Sequence, residues 1–246
     1  MKSLILINKN VIIIFIIVIS LSLYAYYLDN ISKTNSTSSK ISYLVTVDAG
    51  HGGIDTGTHY NSIYEKDINL AISEFLVKEL EKANIKTIMT RKDDSLYKNS
   101  RADDLRYRPK FANENQSDLF ISIHVNHFPI TSAKGIQVFY KQNSNKSKKL
   151  AQEIDKKFSE LEILNKREIK KGDYYVLNYV KSPAVLIECG FLSSEVDRKV
   201  LADKKYQKII AKKITEGVKY YLQENLGQNN IAVSYTHLTL PTNREV

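Results

Sequence analysis

Two histidines and two glutamates, far apart along a 246-residue chain, are of the types that metal-assisted hydrolysis requires. His51 sits in Asp48-Ala49-Gly50-His51-Gly52-Gly53, and Glu65 follows fourteen residues later. His124 ends the run Leu119-Phe120-Ile121-Ser122-Ile123-His124, and Glu188 ends Ala184-Val185-Leu186-Ile187-Glu188. Zinc takes imidazole nitrogen and carboxylate oxygen in tetrahedral geometry, and a catalytic site supplies three protein ligands and leaves the fourth place to water. An ion so held polarises a carbonyl and lowers the pKa of bound water towards about 7. A further carboxylate must then take the proton and pass it to the departing nitrogen. Glu188 suits that task, because a glutamate closing an apolar strand is partly desolvated and its pKa rises. Spacing alone leaves the matter open: ligands spread over several segments have no fixed local signature, and a histidine at a strand end is more often structural.

The neighbours of these residues each carry more than one reading. Asp48 could orient a ligand imidazole from behind or cap the turn. Asn126 could bind substrate or hold the loop after His124. Arg91 and Arg108 could shape a cleft, bind a substrate carboxylate, or form structural salt bridges. His59 and His127 are alternative ligands, although loop histidines are usually solvated. Cys189 is the only cysteine, which excludes an intramolecular disulfide. It should face away from Glu188 into the core, as most lone cysteines do, and not act as a nucleophile. Tyr174-Tyr175-Val176-Leu177 could line a cleft, but fits a buried strand. The basic run Lys141 to Lys149 is a solvated surface or a contact for an anionic polymer.

Apolar runs at Tyr43–Val47, Ile85–Met89, Leu119–His124, Ile136–Tyr140 and Ala184–Glu188 are predicted as short buried strands. Helical spacing joins Ile68, Ala71, Ile72, Phe75, Leu76 and Leu80, and again Leu150, Ile154, Phe158 and Leu161. Pro109 is placed in the first turn of a helix towards Asn115, and a last helix covers Lys204 to Glu224. Such alternation predicts an α/β fold: a twisted, mostly parallel sheet with helices on both faces. The glycines around His51 let the chain turn at the carboxyl end of a strand, the edge where open α/β sheets bind ligands.

Residues 11–28 (VIIIFIIVISLSLYAYYL) are apolar and uncharged, preceded by Lys2 and Lys9. That length approaches the ~20 residues of a membrane-spanning helix. The lysines predict a cytoplasmic N-terminus over 1–10 and an extracytoplasmic domain, single-pass at the cell membrane. A cleaved signal peptide is the rival reading, yet no small-x-small site follows. Residues 29–40 are polar and read as a flexible tether. The domain then covers 41–226, with a tail over 227–246 whose end, His237 included, breaks the pattern and reads as non-native. The net charge of +9 favours anionic partners, but the charges form no long tract and no nucleic-acid signature occurs, so nucleic acid is not expected.

Asp48-Ala49-Gly50-His51-Gly52-Gly53 with Tyr64-Glu65-Lys66-Asp67 resembles the opening motifs of the zinc-dependent N-acetylmuramoyl-L-alanine amidases. Met89-Thr90-Arg91, Arg108 with Ala112-Asn113, the run from Asp118 to Asn126, and Ile187-Glu188-Cys189-Gly190-Phe191-Leu192-Ser193 continue the resemblance in order. It spans about Val45 to Leu222 and implies one zinc ion on His51, Glu65 and His124, with Glu188 as the catalytic glutamate. It also implies a peptidoglycan substrate, cleaved between the muramic lactyl group and L-alanine of the stem peptide. Sporulation amidases acting on spore cortex, where muramic-δ-lactam forms, are the most similar branch; Asp103-Asp104-Leu105-Arg106 and the short N-terminal segment carry that likeness. A protein activator is a possible partner. Ser194-Glu195 in place of Asn-Pro, and Pro109 after Arg108, depart from the branch without touching a ligand. Two rival functions are a non-catalytic peptidoglycan-binding module and a zinc endopeptidase cutting within the stem peptide.

Overall fold

β-branched and aliphatic runs bounded by polar turns supply the centre of the sheet. A computed structural model describes residues 9–36, 42–97, 100–129, 133–161 and 167–236. Its strands are β1 (Leu44–Ala49), β4 (Lys86–Met89), β5 (Leu119–Asn126), β6 (Gln137–Lys141), β7 (Lys170–Gly172) and β8 (Ala184–Phe191), with a small hairpin of β2 (His59–Tyr60) and β3 (Ile63–Tyr64). The six-stranded sheet has the order β4-β1-β5-β8-β6-β7, in which only the β6–β8 pairing is antiparallel. The mostly parallel sheet expected from the alternation of elements is therefore present.

Helices cover both faces. On one, α2 (Glu65–Lys82), α4 (Asn145–Phe158) and α7 (Lys204–Thr236) close over a large apolar core that includes Val45, Val47, Ile121, Ile123, Val185 and Ile187. On the other, α3 (Arg101–Glu114) and the short α5 (Tyr175–Tyr179) cover a smaller cluster of Ala112, Phe120, Val176, Leu177, Val180, Ala184 and Leu186. A further short helix, α6 (Glu195–Leu201), starts at Ser194, whose hydroxyl caps Asp197 N–H. Cys189 is fully buried in the large core, as a strand continuing past Glu188 requires.

Three expectations within the domain are corrected. Pro109 lies inside α3, not in its first turn. The helix starts earlier because Ser100 Oγ accepts from Asp103 N–H, a Ser-x-x-Asp start that outranks the proline signal. Tyr175–Tyr179 is helical, not a strand, and only Val176 and Leu177 of that turn are buried. Helix α7 continues past Glu224 to Thr236, since no proline interrupts the chain before Pro241.

Residues 1–41 form a unit separate from 42–246. Helix α1 (Lys9–Ser36) runs on through the polar residues after Leu28, so the expected tether is helical as far as Ser36; no glycine or proline stops it. Side chains from Ile13 to Leu28 are exposed and mostly apolar. Among the described residues, no helix is long and apolar enough to cross a membrane. Residues 1–8, 37–41 and 237–246, with His237, lie outside the described ones.

Candidate metal centre and active site

Strand alternation decides which side chains meet. Asp48 on β1, Ser122 and His124 on β5, and Glu188 on β8 all point to the α3–α5 face, and β5 pairs His124 with Glu188 directly. Because the three strands are parallel, their carboxyl ends share one edge. A cavity of about 560 Å³ opens there, lined by His51, Glu65, His124, Glu188, Arg101 and Tyr174 among others.

Glu65 is the hub. It is the first residue of α2, at the positive end of the helix dipole, which favours its ionised form. Its Oε1 lies 2.9 Å from His124 Nδ1 and 3.2 Å from His51 Nε2. Val125 N–H donates to the same oxygen at 3.1 Å, Asn69 Nδ2 donates at 3.2 Å, and Thr58 N–H donates to Oε2 at 2.8 Å. Burial would raise the Glu65 pKa, but the His124 and His51 hydrogen bonds and charges outweigh it and hold the carboxyl well below its usual range.

His51 adopts a left-handed backbone (φ 62°), uncommon for a residue with a side chain. The loop is held there by Arg108, which donates to Ala49 O at 2.7 Å and His51 O at 2.8 Å. Arg91 adds bonds to Ala49 O, Gly50 O and Lys66 O, tying the end of β1 to the start of α2. His51 Nδ1 lies 2.8 Å from Asp55 Oδ2, which leaves Nε2 facing Glu65. Burial lowers the pKa of this imidazole, yet Glu65 and Asp55 together raise it to about 9.

Among the described residues, His51, Glu65 and His124 form the group whose ligand atoms all lie within 4.8 Å of one another. Two imidazole nitrogens and a carboxylate oxygen converging on one point match the donor set zinc accepts. The surroundings are shaped to that group: a Cβ on Gly50 would collide with the His124 ring, and one on Gly57 with Glu65 and His51. Close approach, as much as turn geometry, demands those glycines. His59 and His127 stand apart from it, His59 beside Tyr64 on the hairpin and His127 on the cavity rim.

Glu188 is 7% exposed, and its Oε2 has no hydrogen-bond partner. Burial is the main cause that lifts its pKa to about 7; the charge of His124 opposes it and that of Glu65 adds to it. Asp48 spends its hydrogen bonds on groups other than the histidines, although the charge of His124 acts on it. It is fully buried and accepts from Arg108 Nη1 at 2.6 Å, Thr90 Oγ1 at 2.7 Å and Ser122 Oγ at 2.7 Å. Arg108 also bonds Asp104 Oδ2 at 2.7 Å through Nε, so its donors are spent on protein groups. Of the roles open for Arg91 and Arg108, the geometry supports a structural one, as a salt bridge for Arg108 and as bonds to backbone carbonyls for Arg91. Asn126 accepts from His127 N–H at 2.7 Å and its carbonyl accepts from Leu192, holding the loop while also lining the cavity.

Asp55, Asn69 and Thr58 were not singled out from sequence. Asn69 had a signal: four residues after Glu65 on a helix, it shares that residue's face. Asp55 is also four residues from His51, but in a loop, where spacing says nothing about contact.

The family of N-acetylmuramoyl-L-alanine amidases matches residues 45–220 of the chain. The germination-specific N-acetylmuramoyl-L-alanine amidase of Bacillus subtilis (strain 168) is 33% identical over 217 residues, which is 84% of this chain and 92% of that protein. The uncharacterised YqiI protein of the same organism is 35% identical over 182 residues, 73% of this chain and 85% of that one. Among solved structures, the CwlD amidase from Clostridioides difficile in complex with the GerS lipoprotein superposes with a TM-score of 0.71 and 37% identity, covering 74% of this chain and 99% of that chain. With the match running from the second residue of β1 into α7 and covering the whole His51, Glu65, His124 and Glu188 constellation, this chain belongs to the N-acetylmuramoyl-L-alanine amidase family.

Proposed function

We propose that the chain hydrolyses the peptidoglycan amide between the muramic lactyl group and L-alanine, with one zinc ion held by His51, Glu65 and His124. The observation that carries this reading is the three-ligand cluster beside an unpartnered buried carboxylate. Zinc in that position would supply Lewis acidity towards the scissile carbonyl and a more acidic water. The protein's own groups do the rest. Glu188, its pKa near 7, takes a proton from the attacking water and delivers it to the departing alanine nitrogen. Asp55 keeps a proton on His51 Nδ1 so that Nε2 stays a lone-pair donor. Arg108 and Arg91 fix the backbone that carries His51.

The same proposal places the substrate in spore cortex, upstream of muramic-δ-lactam, supported by the likeness to the germination-specific Bacillus amidase. It includes a protein activator, by analogy with the Clostridioides relative solved with a lipoprotein. It also includes an extracytoplasmic domain tethered by the N-terminal helix, supported by the exposed apolar side chains of α1 and the preceding lysines.

Full-length protein in detergent, loaded with zinc and incubated with sacculi, should release stem peptides with a free alanine amino group, read by mass spectrometry. A blocked lactyl carboxyl in the products would indicate an endopeptidase. Binding to sacculi without turnover, unchanged by chelator or by Glu188→Ala, would leave only a wall-binding module.

A further inference from the structure

Beside the reaction cavity, between α3 and α5, lies a second groove of about 300 Å³. Tyr175 lines both, so the two are neighbours across that side chain. Helix α3 builds them with adjacent stripes: Arg101, Leu105 and Arg108 face the cavity, while Arg106, Lys110 and Asn113 face the groove. From Arg106 to Asn113 the groove wall runs about 10 Å. The opposite wall is a ladder of two tyrosines, Tyr175 and Tyr179, with rings 4.2 Å apart and 27° from parallel. Tyr179 is 61% exposed, although a ring of that size normally finds cover. Asn113 locks the walls together, donating to Tyr179 O at 2.9 Å and accepting from Lys181 N–H at 2.7 Å.

We propose that this groove is a subsite for the sugar chain flanking the muramic unit whose amide is cut. The inference rests on the amidase reading and names which part of the polymer the enzyme grips. The exposed Tyr179 ring, stacked on the half-buried Tyr175, suits the C–H face of a pyranose ring. Arg106 and Lys110 are paired at the surface with Asp103 and Glu114, the latter also lining the groove, which leaves Lys181 to meet a lactyl carboxylate, exposed on a neighbouring muramic unit once its own stem has been removed. A peptide occupant fits less well, since both walls are helices and offer no strand edge to an extended chain. The rigid Asn113 joint holds the groove open without ligand, which limits the ordering cost of binding.

Two measurements on the full chain in detergent test this. In the first, Glu188→Gln protein is titrated with stem-free glycan strands, so that binding is read without turnover. Adding Tyr179→Ala should weaken binding about tenfold, the loss of one stacked ring, and Tyr179→Phe should restore it. In the second, kcat/KM is compared between polymeric glycan from which part of the stems has been removed and a single-repeat muropeptide with the same stem. The polymer-to-monomer ratio should fall about tenfold in Tyr179→Ala and further in Tyr179→Ala/Lys181→Ala. Unchanged glycan binding in both variants overturns the proposal, as does an equal loss on polymer and single repeat, which would assign the groove to the peptide. Absence of any wild-type hydrolysis alongside tyrosine-dependent glycan binding would reject the amidase reading and keep the subsite.

Discussion

Along β1, β5 and β8 the odd-numbered residues (Val45, Val47, Ile121, Ile123, Val185, Ile187) enter the large apolar core, whereas the even-numbered ones end in Asp48, Ser122, His124 and Glu188. The same strands thus present one face of interchangeable hydrocarbon and another on which each polar atom has an assigned partner or a task. On the first face stability comes from area and packing. On the second, a buried Asp48–Arg108 pair and an unpaired Glu188 carboxylate are costs that the first face must offset.

Glu188→Gln should separate the faces most sharply. Activity should drop by about 10²- to 10⁴-fold, the usual contribution of a general acid–base group. Stability should move the other way in zinc-free protein. A folded-state pKa raised to about 7 means that the folded chain keeps a proton the unfolded chain releases, so wild-type stability declines between about pH 4.5 and 7. Glutamine has no such proton, and at pH 8 the variant should be more stable by about 2–3 kcal/mol. Denaturant melts at pH 5 and pH 8 measure this; parallel pH slopes in the two proteins would count against it.

Asp48→Asn attacks the same face without touching the cluster. Burial raises the Asp48 pKa, but Arg108, Ser122, the charge of His124 and Thr90 outweigh it and hold the carboxyl below its ordinary value. Its contribution is therefore complete above about pH 4 and lost as acid takes the pH down through the folded value. Removing the charge leaves Arg108 buried with Asp104 as its remaining acid and should cost about 3 kcal/mol at pH 7. The difference from wild type should shrink in acid; a gap that widens there would rule out Asp48 as the titrating group.

On the apolar face, Ile121→Ala should cost about 2–5 kcal/mol through lost burial and a residual cavity. Turnover per folded molecule should stay near wild type when assayed below the melting transition. A large fall in kcat without a change in melting temperature would mean that the two faces are coupled through β5.

How far this division was legible in sequence follows from the range of each signal. Strand and helix positions were readable because periods of two and 3.6 are local. His51, Glu65, His124 and Glu188 were nameable because glycine turns and strand ends mark where a side chain can project, and because the motifs resemble those of a known family. The start of α3 was missed although Ser100 and Asp103 announced it, since Pro109 gave the louder signal. The structural salt bridge open to Arg108 is present, with Asp48 and Asp104, but which loop Arg91 and Arg108 hold could not be read, because there they bind backbone carbonyl, which every residue carries. Asp55 was silent for a related reason: a loop aspartate four residues from a histidine contacts it only if the turn brings it back, and here the paired Gly52 and Asp55 bonds do so.

Asp55 accordingly makes the finest test of the polar face. If its carboxylate fixes the His51 tautomer, Asp55→Asn, which keeps an acceptor, should weaken zinc binding towards tenfold, and Asp55→Ala towards a hundredfold. Chelator competition reads both. In wild type, zinc affinity should climb with pH up to about 9, because His51 must shed a proton before it can ligate. Losing the Asp55 charge lets the opposing effect of burial count for more, so the climb should level off at lower pH in either variant. Arg101 supplies the control. It approaches Asp55 at 3.6 Å with its side chain 65% exposed, a pairing too solvated to matter. Arg101→Ala should leave the affinity and its pH midpoint where they were. If it instead reproduced the Asp55→Ala loss, the controlling element would be the placement of the 52–55 turn against α3 and not the hydrogen bond to the imidazole.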